Sequence, residues 1–110
     1  MRSKYLLLLA LLVILVSENS CLYRQFPIPD FEIQDDITAP GLITLINKSE
    51  NYEYIYYDIQ FRGDDGGLVE YDNAPDEQEH VFTEHGYYEI TITAENEGHL
   101  QSCSKYYHFE

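Results

Sequence analysis

The chain has 110 residues and a formal net charge of −14, from 20 carboxylates against 6 lysines and arginines. That length holds one domain, and the acidic excess repels phosphate backbones and anionic headgroups, which excludes nucleic-acid binding and electrostatic docking on a membrane. Eleven tyrosines and no tryptophan supply rings whose hydroxyls each need a partner when buried.

Arg2 and Lys4 precede an uninterrupted apolar run from Tyr5 to Val16. A bilayer span takes roughly 17–25 residues, so this shorter run fits the apolar region of a signal peptide. Cys21 follows at once, behind Ser17-Glu18-Asn19-Ser20. A cysteine after a small residue in this place resembles a bacterial lipoprotein box of the form tolerated in the Bacteroidota, with Glu18 and Asn19 departing from the commoner small or aliphatic residues. The resemblance implies that residues 1–20 are a lipoprotein-type signal peptide and that Cys21 carries lipid. It also implies export to the outer membrane or cell surface, with the membrane touched through the lipid anchor only. A secreted or periplasmic soluble protein is the alternative. Removing residues 1–20 leaves 4 cations and 19 carboxylates, a net charge of −15. The rival use of Cys21 is a disulfide to Cys103. With Cys21 lipidated, Cys103 is a small buried residue or a free thiol.

Residues 21–29 form a tether, in which Pro27 and Pro29 hold the backbone extended around Ile28. A first strand is expected at Phe31 to Ile33, then a turn region from Asp35 to Gly41 punctuated by Pro40-Gly41. Leu42 to Asn47 reads as the second strand, with Ile43 and Leu45 on one face. Asn47-Lys48-Ser49 opens a turn; it is formally a glycosylation sequon and carries no weight in a bacterial chain. Tyr52 to Phe61 reads as the third strand. Ile55, Tyr57, Ile59 and Phe61 share one face, while Tyr52, Tyr54 and Tyr56 line the other. A glycine-rich loop, Arg62 to Gly67, leads to a short strand at Leu68 to Tyr71. An acidic loop from Asp72 to Gln78 and a strand at Glu79 to Phe82 follow.

Glu84-His85-Gly86-Tyr87-Tyr88 then makes a corner. The acidic-x-Gly-x-Tyr spacing of Glu84, Gly86 and Tyr88 is that of a tyrosine corner, whose ring hydrogen-bonds back to the upstream backbone. Beyond it Tyr88, Ile90, Ile92 and Ala94 alternate with Tyr87, Glu89, Thr91 and Thr93, a period of two that marks a half-buried strand. Asn96-Glu97-Gly98 turns the chain into a last strand at Ser102 to Phe109, with Cys103, Lys105, Tyr107 and Phe109 on one face. No segment after residue 20 has helical period. The expectation is an all-β, immunoglobulin-like two-sheet sandwich of about seven strands over residues 30–110, preceded by the N-terminal signal segment.

From Phe31 to Phe109 the order of features resembles the polycystic-kidney-disease (PKD) domain, an immunoglobulin-like module of surface proteins. Ala39-Pro40 with Ile43, Leu45, Asn47 and Ser49 resembles that family's second strand and turn. His80, Phe82, Gly86, Tyr88, Ile90, Ile92, Ala94 and Asn96 match its best-kept block. Tyr57-Asp58-Ile59 stands for the family's Trp-Asp-Phe, but Gln60-Phe61-Arg62 intervenes before the glycine loop. The resemblance implies that His80 helps to hold the corner.

No catalytic constellation is present: His80, His85, His99 and His108 lack ligand spacing, and neither a nucleophile elbow nor a phosphate loop occurs. No cofactor is expected. Calcium is the one chemical alternative, through Asp64, Asp65, Asp72, Asp76 and Glu77 if their loops meet. The expected function is a non-catalytic binding or interaction module of the cell envelope, with a protein or glycan partner. Tyr52, Tyr54 and Tyr56 are its candidate surface. A structural spacer or assembly subunit is the alternative, and a calcium-binding extracellular domain the second.

Overall fold

The structure, a computed structural model, describes residues 26–63 and 66–110. The signal segment, Cys21, Asp64 and Asp65 lie outside the described residues. Seven strands run in chain order: β1 (Phe31–Asp35), β2 (Leu42–Asn47), β3 (Tyr54–Phe61), β4 (Leu68–Tyr71), β5 (Glu77–Val81), β6 (Gly86–Asn96) and β7 (His99–Phe109). No helix occurs among the described residues. The strands form two antiparallel sheets, β1-β2-β5 and β4-β3-β6-β7. This is the immunoglobulin-like sandwich, with the short fourth strand on the larger sheet.

Alternation decides which face turns inward. On β6, Tyr88, Ile90, Ile92 and Ala94 are buried while Tyr87 is exposed. On β3, Ile55, Tyr57 and Ile59 are buried, and β2 contributes Ile43 and Leu45. Phe31 of β1 completes this core and meets the Tyr57 ring edge-on, with centroids 5.8 Å apart, so one aromatic pair joins the two sheets. Each such side chain contributes roughly 1.5–3 kcal/mol by leaving water.

Turn chemistry sets the register. Ala39 O accepts from Leu42 N at 3.0 Å, and Gly41 has φ +89°, as a type II turn with Pro40 in second place requires. Between β6 and β7, Glu97 and Gly98 both have positive φ (50° and 82°), the signature of a two-residue type I′ hairpin. That turn corrects the sequence-based start of the last strand. Because Asn96 already faces His99, the ladder continues from Ser102 up to His99. The strand expected at Glu79 to Phe82 instead spans Glu77–Val81, because β2 reaches far enough to pair Ile46 with Glu77.

The sandwich has two lateral seams. Along β1 and β7, Lys105 points inward, donates to the Phe31 carbonyl, and lies 3.5 Å from an Asp30 carboxylate oxygen. Tyr107 donates to Asp35 beside it, and burial, with that carboxylate second, pushes its hydroxyl up to about 12. An inward charge on a long edge strand also blunts its tendency to pair with another chain. Along β4 and β5, the Tyr71 hydroxyl and His80 Nδ1 form one bond of 2.7 Å.

Candidate functional site

The outer face of the larger sheet carries the expected tyrosines and others besides. Tyr54 and Tyr56 lie opposite Glu95 and Thr93 of β6, and β6 in turn places Glu89 beside Tyr106 and Tyr87 beside His108 on β7. Residues directly opposite in an antiparallel pair share a face. Tyr54, Tyr87 and Tyr106 are 47%, 60% and 68% exposed. Tyr87 and His108 stack with centroids 4.0 Å apart and planes 8° from parallel. Tyr56 is half-buried because its hydroxyl donates to Glu95 Oε2 at 2.8 Å, and that bond raises its pKa.

Between these rings runs a strip of hydroxyls. Thr91 bonds Ser104 at 2.7 Å and Thr93 bonds Ser102 at 2.9 Å, each across the β6–β7 ladder. Arg62 reaches Glu89 at 3.0 Å on the same face. Flat rings separated by paired hydroxyls make a platform that can stack on an apolar ligand face and exchange hydrogen bonds with its polar edge. Tyr87 and Tyr106 went unremarked as surface candidates in the sequence. Their signal was phase: each stands one residue out of step with a buried row, Tyr87 beside Tyr88 and Tyr106 beside Tyr107.

Tyr52 does not belong to this face. β3 begins at Tyr54, after Asn51 takes a positive φ of 57°, and the Tyr52 hydroxyl points toward Asp76 of the β4–β5 connection at 3.4 Å. The described residues of the expected tether, 26–29, do not cover the tyrosines. Ile28 bridges to Glu50, Asn51 Nδ2 donates to the Phe26 carbonyl at 3.1 Å, and Phe26 rests on His99, all at the end of the sandwich.

At the corner, the Tyr88 hydroxyl donates to the Glu84 carbonyl at 2.5 Å, four residues back. Burial, then the Glu84 charge, raises the Tyr88 pKa, so the hydroxyl stays a donor. Gly86 has φ +147°, and a Cβ there would sit 2.7 Å from the Phe61 ring. Phe61 belongs to the three residues that depart from the PKD pattern, and its ring lies 5.1 Å from that of Tyr88. Phe82 links the corner to its surroundings, 4.2 Å from the Tyr88 ring and 4.6 Å from the His80 ring. Burial lowers the His80 pKa.

Of the acidic residues weighed for calcium, Asp72 and Asp76 lie in the β4–β5 connection and Glu77 starts β5. No three carboxylate, histidine or cysteine side chains come together among the described residues. Cys103 is a free, half-buried thiol packed against the core. No family model, no curated protein and no solved structure matches this chain.

Proposed function

We propose that this domain is a non-catalytic interaction module of the cell envelope, anchored by lipid on Cys21, which engages a protein or glycan through the outer face of its larger sheet. The observation that carries this reading is that exposed rings flank the Thr91–Ser104 and Thr93–Ser102 hydroxyl pairs, Tyr54 at one end and Tyr87 and Tyr106 at the other. Tyrosine is favoured on binding surfaces because a rigid amphipathic ring loses little entropy when it is held. The PKD resemblance supports the same reading, as an expectation from sequence. The test is a glycan array and a capture from detergent-solubilised envelope, each run with the native protein and with a Tyr54→Ser, Tyr106→Ser variant. A binder lost in the variant, at unchanged melting temperature, supports the face. Equal binding by both proteins refutes it.

A further inference from the structure

The smaller sheet has three strands and the larger has four, so among the described residues no strand of the smaller sheet lies beyond β5 to match β4. Val69 lies opposite Ile59 and therefore points inward, yet it is 42% exposed. A groove of about 270 Å³ opens there, between Ile59, Phe61 and Val69 on one side and His80 and Phe82 on the other, with Tyr88 at its corner end. The Tyr71–His80 bond spans the seam between the same two edge strands.

At His80 and Val81 this groove borders the edge of β5. Phe82 N donates to Gly41 O at 2.8 Å and Asn47 N donates to Asp76 O at 2.9 Å, on either side of β5. Inward and outward groups alternate along an antiparallel strand. His80 and Gln78 therefore bond β2, and the N–H and C=O groups of Glu77, Glu79 and Val81 face away from it. No strand pairs with them among the described residues. The Gln78 side chain donates to the Glu79 carbonyl at 2.9 Å, a local cap that a backbone donor can replace.

The charge at this edge has one sign. Glu77 and Glu79 stand on the exposed side of β5, Glu70 lies on β4, and Glu84 lines the groove. Neither lysine nor arginine is among the groove-lining residues. We propose that this edge takes up one extended peptide of a partner protein as a fourth strand beside β5, with side chains alternating between apolar and cationic. Its backbone completes the outward groups of Glu77, Glu79 and Val81. Its apolar side chains cover Val69 and Phe61, and its cations lie across from Glu77 and Glu79. This is strand addition, in which main-chain bonds give affinity and alternate side chains give selectivity. The site lies on the sandwich edge, not on the tyrosine face, and does not depend on it.

The test titrates the full-length protein with an acetylated, amidated peptide of about six alternating lysines and valines, matching the usual length of a strand. A block-order peptide of the same composition and an alternating glutamate–valine peptide are the controls. The alternating cationic peptide should bind at least about tenfold more tightly than either control, because register and charge must agree at once. Glu79→Pro removes an outward donor without touching the β2 ladder, and should abolish that preference. Should Glu79→Pro not fold, hydrogen exchange on the native protein decides, through peptide-induced protection of the Glu77, Glu79 and Val81 amides. Equal binding of the block-order peptide, unprotected amides, or protection that grows with protein concentration in the absence of peptide would each overturn the proposal. The last result would mean that a second copy fills the edge. The Tyr54→Ser, Tyr106→Ser variant should bind the peptide normally, so failure of the tyrosine face and failure of this edge read out separately.

Discussion

The two seams of the sandwich join the same two sheets by different means. Along β1 and β7, Lys105 bonds the Phe31 carbonyl and lies 5.0 Å over the Phe31 ring, and Tyr107 bonds Asp35. Along β4 and β5, the Tyr71–His80 pair is the one side-chain bond between those strands among the described residues, and apolar Val69 and Val81 stand partly in water. One edge is closed by long polar side chains that reach across it. The other, among the described residues, has strand-edge backbone groups that no strand pairs and apolar surface that is partly exposed. In a domain of this size, which buries only about 60–65% of its unfolded surface, an uncovered strip is a real cost to stability. The asymmetry therefore suits an edge kept for a partner.

If the closed seam holds the sheets together, its polar residues should dominate the mutational losses. Lys105→Ala should cost about 2 kcal/mol, the range for a hydrogen bond to a charged donor, with little from the exposed Asp30 pair. A urea titration should show the midpoint falling at unchanged slope. Tyr107→Phe should cost about 1 kcal/mol and lower the melting temperature by about 4–8 °C.

The open seam should respond to pH instead. Burial holds the His80 pKa below its ordinary value. Between the folded and unfolded values the unfolded chain binds the extra proton, so this contribution to stability falls as pH drops below about 6.5. Protonation of both ring nitrogens also leaves His80 Nδ1 able only to donate to the Tyr71 hydroxyl. The native protein should thus lose a few degrees of melting temperature, relative to His80→Gln, between about pH 7.5 and pH 5. Parallel curves would show that the seam is insensitive to this histidine. The smallest effect belongs between the seams. Tyr57 is fully buried and its hydroxyl has no hydrogen-bond partner among the described residues. Tyr57→Phe should be neutral or stabilising by about 1 kcal/mol, since it removes an unsatisfied polar group without opening a cavity.

The residues that depart from the PKD pattern have a physical place. Gln60 and Phe61 complete β3, Phe61 one residue past the last β3–β4 pair, which sets Phe61 opposite Tyr88 and over Gly86. Arg62 N then donates to the Tyr87 carbonyl at 2.8 Å, and its side chain meets Glu89. The extension covers the corner with a ring, and Gly86 leaves room for it.

Much of this was readable along the chain because alternation is a local property. Tyr88, Ile90, Ile92 and Ala94 had to share a face whatever lay opposite, and so did Ile55, Tyr57 and Ile59. The acidic-x-Gly-x-Tyr spacing marked the corner for the same reason, since a hydroxyl four residues on can reach back to one carbonyl. Tyr52 misled because the alternation runs through it while the backbone turns at Asn51. Lys105 was visible as a member of an inward row, but its bond to Phe31 depends on β1 lying over β7, more than seventy residues apart in sequence. The number of strands, their faces and the corner therefore came from neighbours along the chain. The pairing of one wide sheet with one narrow sheet, and with it one shut edge and one open edge, arose from contacts between distant strands, which no local periodicity encodes.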